Sequence, residues 1–302
     1  MINSVSVTED SQFIVSLGNS RTLAVWNIEL KSIEMRIDNP HHEKISSVAV
    51  TLDSKYFFTG SWDKTISMWN FEERDLVHRF AHGHTEPITS ITVTNDAHYL
   101  ISGSYDQNIV IWDLKKLILW HKIEHAHSQQ ITCVVAALNP KLFASTSADH
   151  SIAVWNLPDK ALLHRFENAH YFMIRSLVFA SDSTTLISVS NDHTIAVWDV
   201  ACKQMVHRFE AAHSWWISAV ALSPDSRLLV SGSEDKSIGL WDLPEKKLLF
   251  RIDSAHSEKI LCISVTQDSK FIVSGSADRT IAVWVISSKK LLHRFEDAHS
   301  AP

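Results

Sequence analysis

Tryptophan recurs at one fixed interval along this chain. Trp26, Trp69, Trp112, Trp155, Trp198, Trp241 and Trp284 stand 43 residues apart without one insertion or deletion, and seven such units fill nearly all of the 302 residues. Isoleucine keeps the same step from Ile2 through Ile45 and Ile88 to Ile260, and an acid or amide keeps it from Asp10 through Asn139 to Asp268. A period this regular means one supersecondary unit copied many times. It explains why "STSADHSIAVWN" at 145–156 and "SGSADRTIAVWV" at 274–285 nearly coincide: three periods separate them.

Each unit holds four short runs that alternate and favour β-branched residues. In the sixth they are "ISAVALS", "RLLVSGS", "SIGLWDL" and "KKLLFRI", separated by turn signals such as "SPDS", "SEDK" and "PEK". No helical period persists beyond a turn or two. Four antiparallel strands per unit make a sheet too small to bury both faces alone, so the units must pack on one another. Seven similar sheets achieve this by closing into a ring. The expected fold is all-β: a seven-bladed β-propeller, one domain over 1–302. Its blades fall at about 1–40, 41–83, 84–126, 127–169, 170–212, 213–255 and 256–299.

The recurring His, then Ser-x-Asp, then Trp-Asp pattern resembles the WD-repeat β-propeller family over the whole chain. The resemblance implies that each blade is braced by a hydrogen-bonded His, Ser, Asp and Trp. Those sets are His41, Ser61, Asp63 and Trp69 in blade 2, and His84, Ser104, Asp106 and Trp112 in blade 3. Blade 4 has His127, Ser147, Asp149 and Trp155; blade 5 has His170, Ser190, Asp192 and Trp198. Blade 6 has His213, Ser233, Asp235 and Trp241; blade 7 has His256, Ser276, Asp278 and Trp284. Blade 1 departs, with Gly18 for the serine and Ser20 for the aspartate, and its histidine equivalent, His299, stands at the far end of the sequence. Its network is expected not to form as in the others, and Gly18→Ser with Ser20→Asp is expected to stabilise it by about 1 kcal/mol.

WD-repeat propellers commonly seal the ring by lending a strand from the N-terminus to the last blade. Here Ile2 begins an innermost strand and Phe295 ends an outermost one, so closure without strand exchange is expected, with a weak seam between blades 7 and 1. A ring built so is expected to be a piece of a longer protein.

Composition narrows the function. A formal charge of −6 lacks the basic footprint of a nucleic-acid binder. Three cysteines, Cys133, Cys202 and Cys262, in odd number and without CxxC spacing, read as reduced thiols in an intracellular protein, cytoplasmic or nuclear. No run of about 18 apolar residues suggests a membrane-spanning helix. Six copies of His, Ser and Asp speak for structure rather than a hydrolase triad, and no GxSxG accompanies them. The densest histidine runs, "HKIEHAH" and "HGH", carry no Cys or carboxylate set of metal spacing. Neither metal nor cofactor is expected. The basic column Arg36, Arg79, Lys122, Arg165, Arg208, Arg251 and Arg294 is followed two residues later by an acid in every blade but the second, where Ala81 stands, which reads as a solvated ion-pair belt.

Residues that break the repeat are the better functional candidates. Where other blades are polar after the structural histidine, blade 5 has Tyr171, Phe172 and Met173 followed by Arg175, and blade 6 has Trp215 and Trp216. Before the network aspartate, blades 2 and 3 carry Trp62 and Tyr105. The resemblance implies that all eight lie on the wide face around the central channel, where propellers of this family dock partners. The expected function is a non-enzymatic protein–protein interaction scaffold, a monomeric propeller within a larger protein or complex, binding a protein or peptide and neither nucleic acid nor membrane. A phospho-motif receptor would need several arginines at the channel, where Arg175 has only Lys44 and Lys259 at a distance and Glu234 opposing. A methyl-lysine reader would need an aromatic cage, for which Trp62 and Tyr105 are candidate walls.

Overall fold

Short runs of alternating β-branched and small residues between turn signals can only pair with their sequence neighbours. The computed structural model, which describes residues 1–19 and 21–299, shows this as 28 strands in seven four-stranded antiparallel sheets, each in sequential order. Ser20, one of the departures in blade 1, lies outside the described residues. Blade 1 consists of β1 (Ile2–Val7), β2 (Phe13–Gly18), β3 (Thr22–Asn27) and β4 (Ser32–Asp38). The second and third strands of every blade are almost wholly buried, while the fourth strand is exposed or half-buried along most of its length. No helix of the described residues is long and apolar enough to cross a membrane.

The blades bury one another. Each apolar cluster spans two adjacent sheets, as where Ile187, Val189 and Phe209 of blade 5 meet Ile217, Leu229 and Trp241 of blade 6. In blades 1, 3, 5 and 6 the repeated tryptophan packs on a phenylalanine ending the outer strand of the preceding blade, at 4.8 Å for Trp198 on Phe166 and 5.0 Å for Trp241 on Phe209. The ring closes the same way. Trp26 lies 4.9 Å from Phe295, and Ile2 and Val5 pack with Cys262, Val273 and Phe295. Blade 7 is contiguous, and among the described residues no strand is exchanged between it and blade 1.

Glycine is scarce because the turns do not use it. Left-handed turn positions are held by residues such as Lys64 (φ 71°), Lys236 (φ 71°) and Asn168 (φ 49°), and no glycine among the described residues has positive φ. Gly103 serves close approach instead, since a Cβ there would lie 2.5 Å from the Ile131 side chain of the next blade.

Two bulges recur in every blade. One sits in the innermost strand, where Arg175 is the extra residue between Ile174 and Ser176. The other sits in the outermost strand, as at Leu163. An extra residue re-aims its side chain out of the pleat, and the inner row of bulges lines the channel described below.

Candidate functional site

The buried polar network decides whether the repeated His, Ser and Asp can do chemistry. In blade 3, Trp112 Nε1 donates to Ser102 Oγ (2.9 Å), Ser102 Oγ lies 2.8 Å from His84 Nε2, and His84 Nδ1 lies 3.0 Å from Asp106 Oδ2. A neutral imidazole protonated at Nδ1 satisfies the whole chain, indole to hydroxyl to imidazole to carboxylate. Thr59, Ser145, Ser188, Ser231 and Ser274 fill the hydroxyl position in blades 2, 4, 5, 6 and 7. The network hydroxyl is therefore not the serine of Ser-x-Asp but the residue two positions earlier. Ser104 instead accepts the Asp106 N–H (3.1 Å) and donates to the Glu86 carbonyl (3.0 Å), pinning the turn.

Burial pushes His127, His170 and His213 below the ordinary histidine range, partly offset by their hydrogen-bonded aspartates. Burial alone would raise the Asp106 carboxyl, but hydrogen bonds from His84 and from the Thr85 and Asn108 backbone outweigh it and hold the group at about 2. Every network hydroxyl is fully buried between an indole and an imidazole. No substrate atom can reach such a group, so these sets are braces.

Blade 1 departs from the others as expected, with no aspartate on its histidine among the described residues, yet it keeps the rest of the chain. Trp26 Nε1 donates to Ser16 Oγ (2.7 Å), which lies 2.8 Å from His299 Nε2, and His299 Nδ1 meets Thr22 Oγ1. The network forms with a threonine hydroxyl at the imidazole's far nitrogen, and His299 ties the end of blade 7 into blade 1. Burial, with the charge of Arg36 nearby, pushes His299 down to about 3.

The basic column is corrected in part. Arg36–Asp38 (3.0 Å) and Arg165–Glu167 (3.7 Å) are ion pairs of the expected kind. Yet Arg165, Arg208, Arg251 and Arg294 also turn inward, their Nη2 donating at 2.5–2.7 Å to the carbonyls of Ala126, Ala169, Ala212 and Ala255. They satisfy the backbone acceptor just before each network histidine.

Four of the candidate docking residues, Trp62, Tyr105, Met173 and Arg175, line one mouth of the axial channel. The innermost-strand bulges point into it: Asn3, Ser46, Thr89 and Thr132 in blades 1–4, and Arg175, Ser218 and Leu261 in blades 5–7. They border a cavity of about 450 Å³, also lined by Trp62, Tyr105 and Met173. Trp62 and Tyr105 meet edge to face at 6.1 Å, and the Lys44 amine stands 5.1 Å from the Trp62 ring. Arg175 Nη2 and Lys259 Nζ share one oxygen of the nearly buried Glu234, at 3.5 and 3.6 Å.

Trp215 and Trp216 form a second aromatic group, stacked at 6.1 Å and 52% and 39% exposed. Trp215 also lies 6.2 Å from His193 of blade 5. Tyr171 and Phe172 are more exposed still, 81% and 60%, and neither makes a ring contact with the tryptophans. The structure thus joins Trp62, Tyr105, Met173 and Arg175 at the cavity and leaves Tyr171, Phe172, Trp215 and Trp216 outside it.

Sequence reading missed two surfaces. The opposite channel mouth is apolar, with Leu52 and Leu138 exposed beside Val135, Val178 and Leu222. The rim carries exposed aliphatic pairs on successive outer strands, such as Leu162–Leu163 and Leu291–Leu292. Consecutive apolar residues in an outermost strand were the available signal, because a strand with one buried face alternates. Among the described residues no group of three or more His, Cys, Asp or Glu could hold a metal ion.

Comparison with known proteins agrees with this architecture. Residues 35–213, more than half of the chain, match the family described as NWD2 C-terminal beta-propeller. Residues 203–242 and 247–285 match the WD domain, G-beta repeat. No curated protein sequence matches the chain. Among solved structures, the structure of U3-55K superposes with a TM-score of 0.84 at 21% identity, covering 91% of this chain and 88% of that one. The crystal structure of RRP9 WD40 repeats gives 0.85 at 21% identity, covering 91% and 87%. The chain is a seven-bladed WD-repeat β-propeller and belongs to the NWD2 C-terminal beta-propeller family.

Proposed function

We propose that this propeller is a non-enzymatic interaction scaffold whose protein partner docks on the face carrying Tyr171, Phe172, Trp215 and Trp216. One observation carries the reading: the stacked, half-exposed pair Trp215–Trp216 on connections that are polar in most other blades. Large apolar groups in water are costly, and monomeric proteins rarely keep a contiguous patch of them without use. Tryptophan and tyrosine also supply much contact area for little ordering entropy and dominate binding hot spots. Absence of catalysis is part of the proposal, and the sealed hydroxyls of the six complete His–Asp networks support it.

The test is affinity capture with the intact chain beside its Trp216→Ala variant, followed by titration of the captured protein. Trp216→Ala is expected to weaken binding at least about tenfold and to leave the melting temperature nearly unchanged, because the side chain is solvent-facing. Equal binding by the variant, or an unfolded variant, contradicts the assignment.

A further inference from the structure

The bulge residues around the channel mouth are not equally satisfied. In blades 1–4 they bond to their surroundings: Asn3 to the Ile45 carbonyl (3.3 Å), Ser46 to those of Gly60 (3.0 Å) and Ile88 (2.6 Å), Thr89 to that of Gly103 (2.9 Å), and Thr132 to Thr146 (2.8 Å). In blades 5 and 6 this satisfaction is incomplete: Arg175 reaches Glu234 through Nη2 alone, at 3.5 Å. Arg175 Nε and Ser218 Oγ are buried on the same ring with no hydrogen-bond partner, and buried polar atoms are rarely left so.

Charge is concentrated in the same place. Lys44, Arg175 and Lys259 line the cavity and Glu234 is its single carboxylate. Two cations share one Glu234 oxygen at 3.5 and 3.6 Å, well beyond the about 2.7–2.9 Å of a tight charged hydrogen bond. Among the described residues Lys44 has no carboxylate partner, only the Trp62 ring, and burial lowers its amine from the ordinary lysine range. Three cations against one acid leave the mouth short of negative charge, on a protein whose net charge is −6.

The mouth has two sides. Blades follow one another round the ring, which puts blade 6, with Glu234 and Ser218, across from the junction of blades 2 and 3, with Trp62 and Tyr105. A cavity of about 450 Å³ with an apolar wall and a few converging polar groups suits side chains of an extended segment rather than a folded surface.

We propose that this mouth binds an acidic peptide segment, a carboxylate side chain entering among Lys44, Arg175 and Lys259 while a neighbouring apolar side chain lies on Trp62 and Tyr105. The inference rests on the reading that a polypeptide docks on this face. By turning off its 3.5 Å contact with Glu234, Arg175 presents Nε–H and Nη2–H together to the incoming carboxylate, which matches a guanidinium fork. A phosphate suits the mouth less well. It holds one arginine, and Glu234 opposes a second negative charge more than a first.

The probe is a fluorescein-labelled nonapeptide of alternating leucine and glutamate, titrated by anisotropy at low and high salt, beside versions carrying glutamine, lysine or phosphoserine in place of glutamate. The glutamate peptide is expected to bind with strong salt dependence and the glutamine and lysine versions at least about tenfold more weakly. Lys44→Met and Arg175→Met should each cost a similar factor with the melting temperature retained, and Glu234→Gln, which releases two cations, should tighten binding several-fold. The Glu234→Gln gain is a response that a merely structural role would not produce. Equal binding of the glutamine peptide overturns the proposal, as does tighter binding of the phosphoserine peptide, or no saturable binding up to about 1 mM. Failure here with partner capture still lost in Trp216→Ala removes the acidic-segment inference and leaves the docking face standing.

Discussion

Gly18 stands against the imidazole of His299: a Cβ added at Gly18 would lie 2.5 Å from both Cβ and Cγ of that histidine. In blades 2–7 the equivalent position is serine, and an aspartate carboxylate holds the histidine. In blade 1 the ring leans on Thr22 and fills the space a serine would occupy.

Gly18→Ser by itself is therefore expected to destabilise the protein, whereas the sequence alone pointed to a gain from Gly18→Ser combined with Ser20→Asp. The atoms in conflict belong to the near end of a buried side chain held by Ser16, so relief requires moving the histidine itself. Overpacking of this kind costs about 1–3 kcal/mol. Thermal melting of Gly18→Ser should show a lower Tm than the parent; an equal or higher Tm contradicts the placement of His299.

Two serines in blade 3 separate the brace from the turn. Ser102→Ala strands the Trp112 N–H and the His84 Nε2 together, at about 1–3 kcal/mol for each buried group left unpaired. Ser104→Ala removes the hydroxyl partner of the Asp106 N–H and the Glu86 carbonyl, but this turn is part-exposed and water can take the hydroxyl's place. Chemical denaturation should rank Ser102→Ala as the more damaging, and the opposite order would return the network role to Ser104.

Acid should weaken the propeller in two stages. His299, His127, His170 and His213 titrate below their ordinary 6.5 when folded, so the unfolded chain takes up protons first as pH falls. Their contribution is complete above about pH 6.5 and is lost below it, for His299 down to about 3. Network carboxylates act lower: Asp106, held at about 2, stabilises above its ordinary 3.8 and loses this as pH falls through 3.8 toward 2. Tm measured from pH 8 to 3 should stay level to about 6.5 and then decline, with a shallower decline in His299→Gln. A flat profile between 6.5 and 4 would show that the histidines are charged when folded.

Trp26 to Trp284 placed the seven blades, and the ring had to close once each sheet proved too small to stand alone. The brace was legible only in part. Thr59 and Ser61 share one face of one strand, as do Ser102 and Ser104, so spacing cannot say which hydroxyl meets the indole. Cross-strand register decides it, since Trp69 pairs with Phe57 and comes within reach of Thr59. The docking candidates stood out as breaks in the repeat, yet their division into a channel group and an outer group depends on bulges that send Arg175 inward. Bulges leave no mark in a strand pattern of small polar residues such as Ser46, Thr89 and Ser218. Glu234 and Lys259 gain meaning only through the contact with Arg175 that the ring imposes.

A partner bound on the face carrying the channel mouth and the Trp215–Trp216 pair would leave its footprint there. Hydrogen exchange read by mass spectrometry, on the free chain and on its complex with the captured partner, tests this most directly. Slowed exchange is predicted in the connections containing Lys44, Tyr171–Arg175 and Trp215–Trp216 and in the turns at Trp62 and Tyr105. Protection confined to Leu52, Leu138 and Pro224 around the opposite mouth, or to outer strands such as the one carrying Leu162 and Leu163, would contradict it.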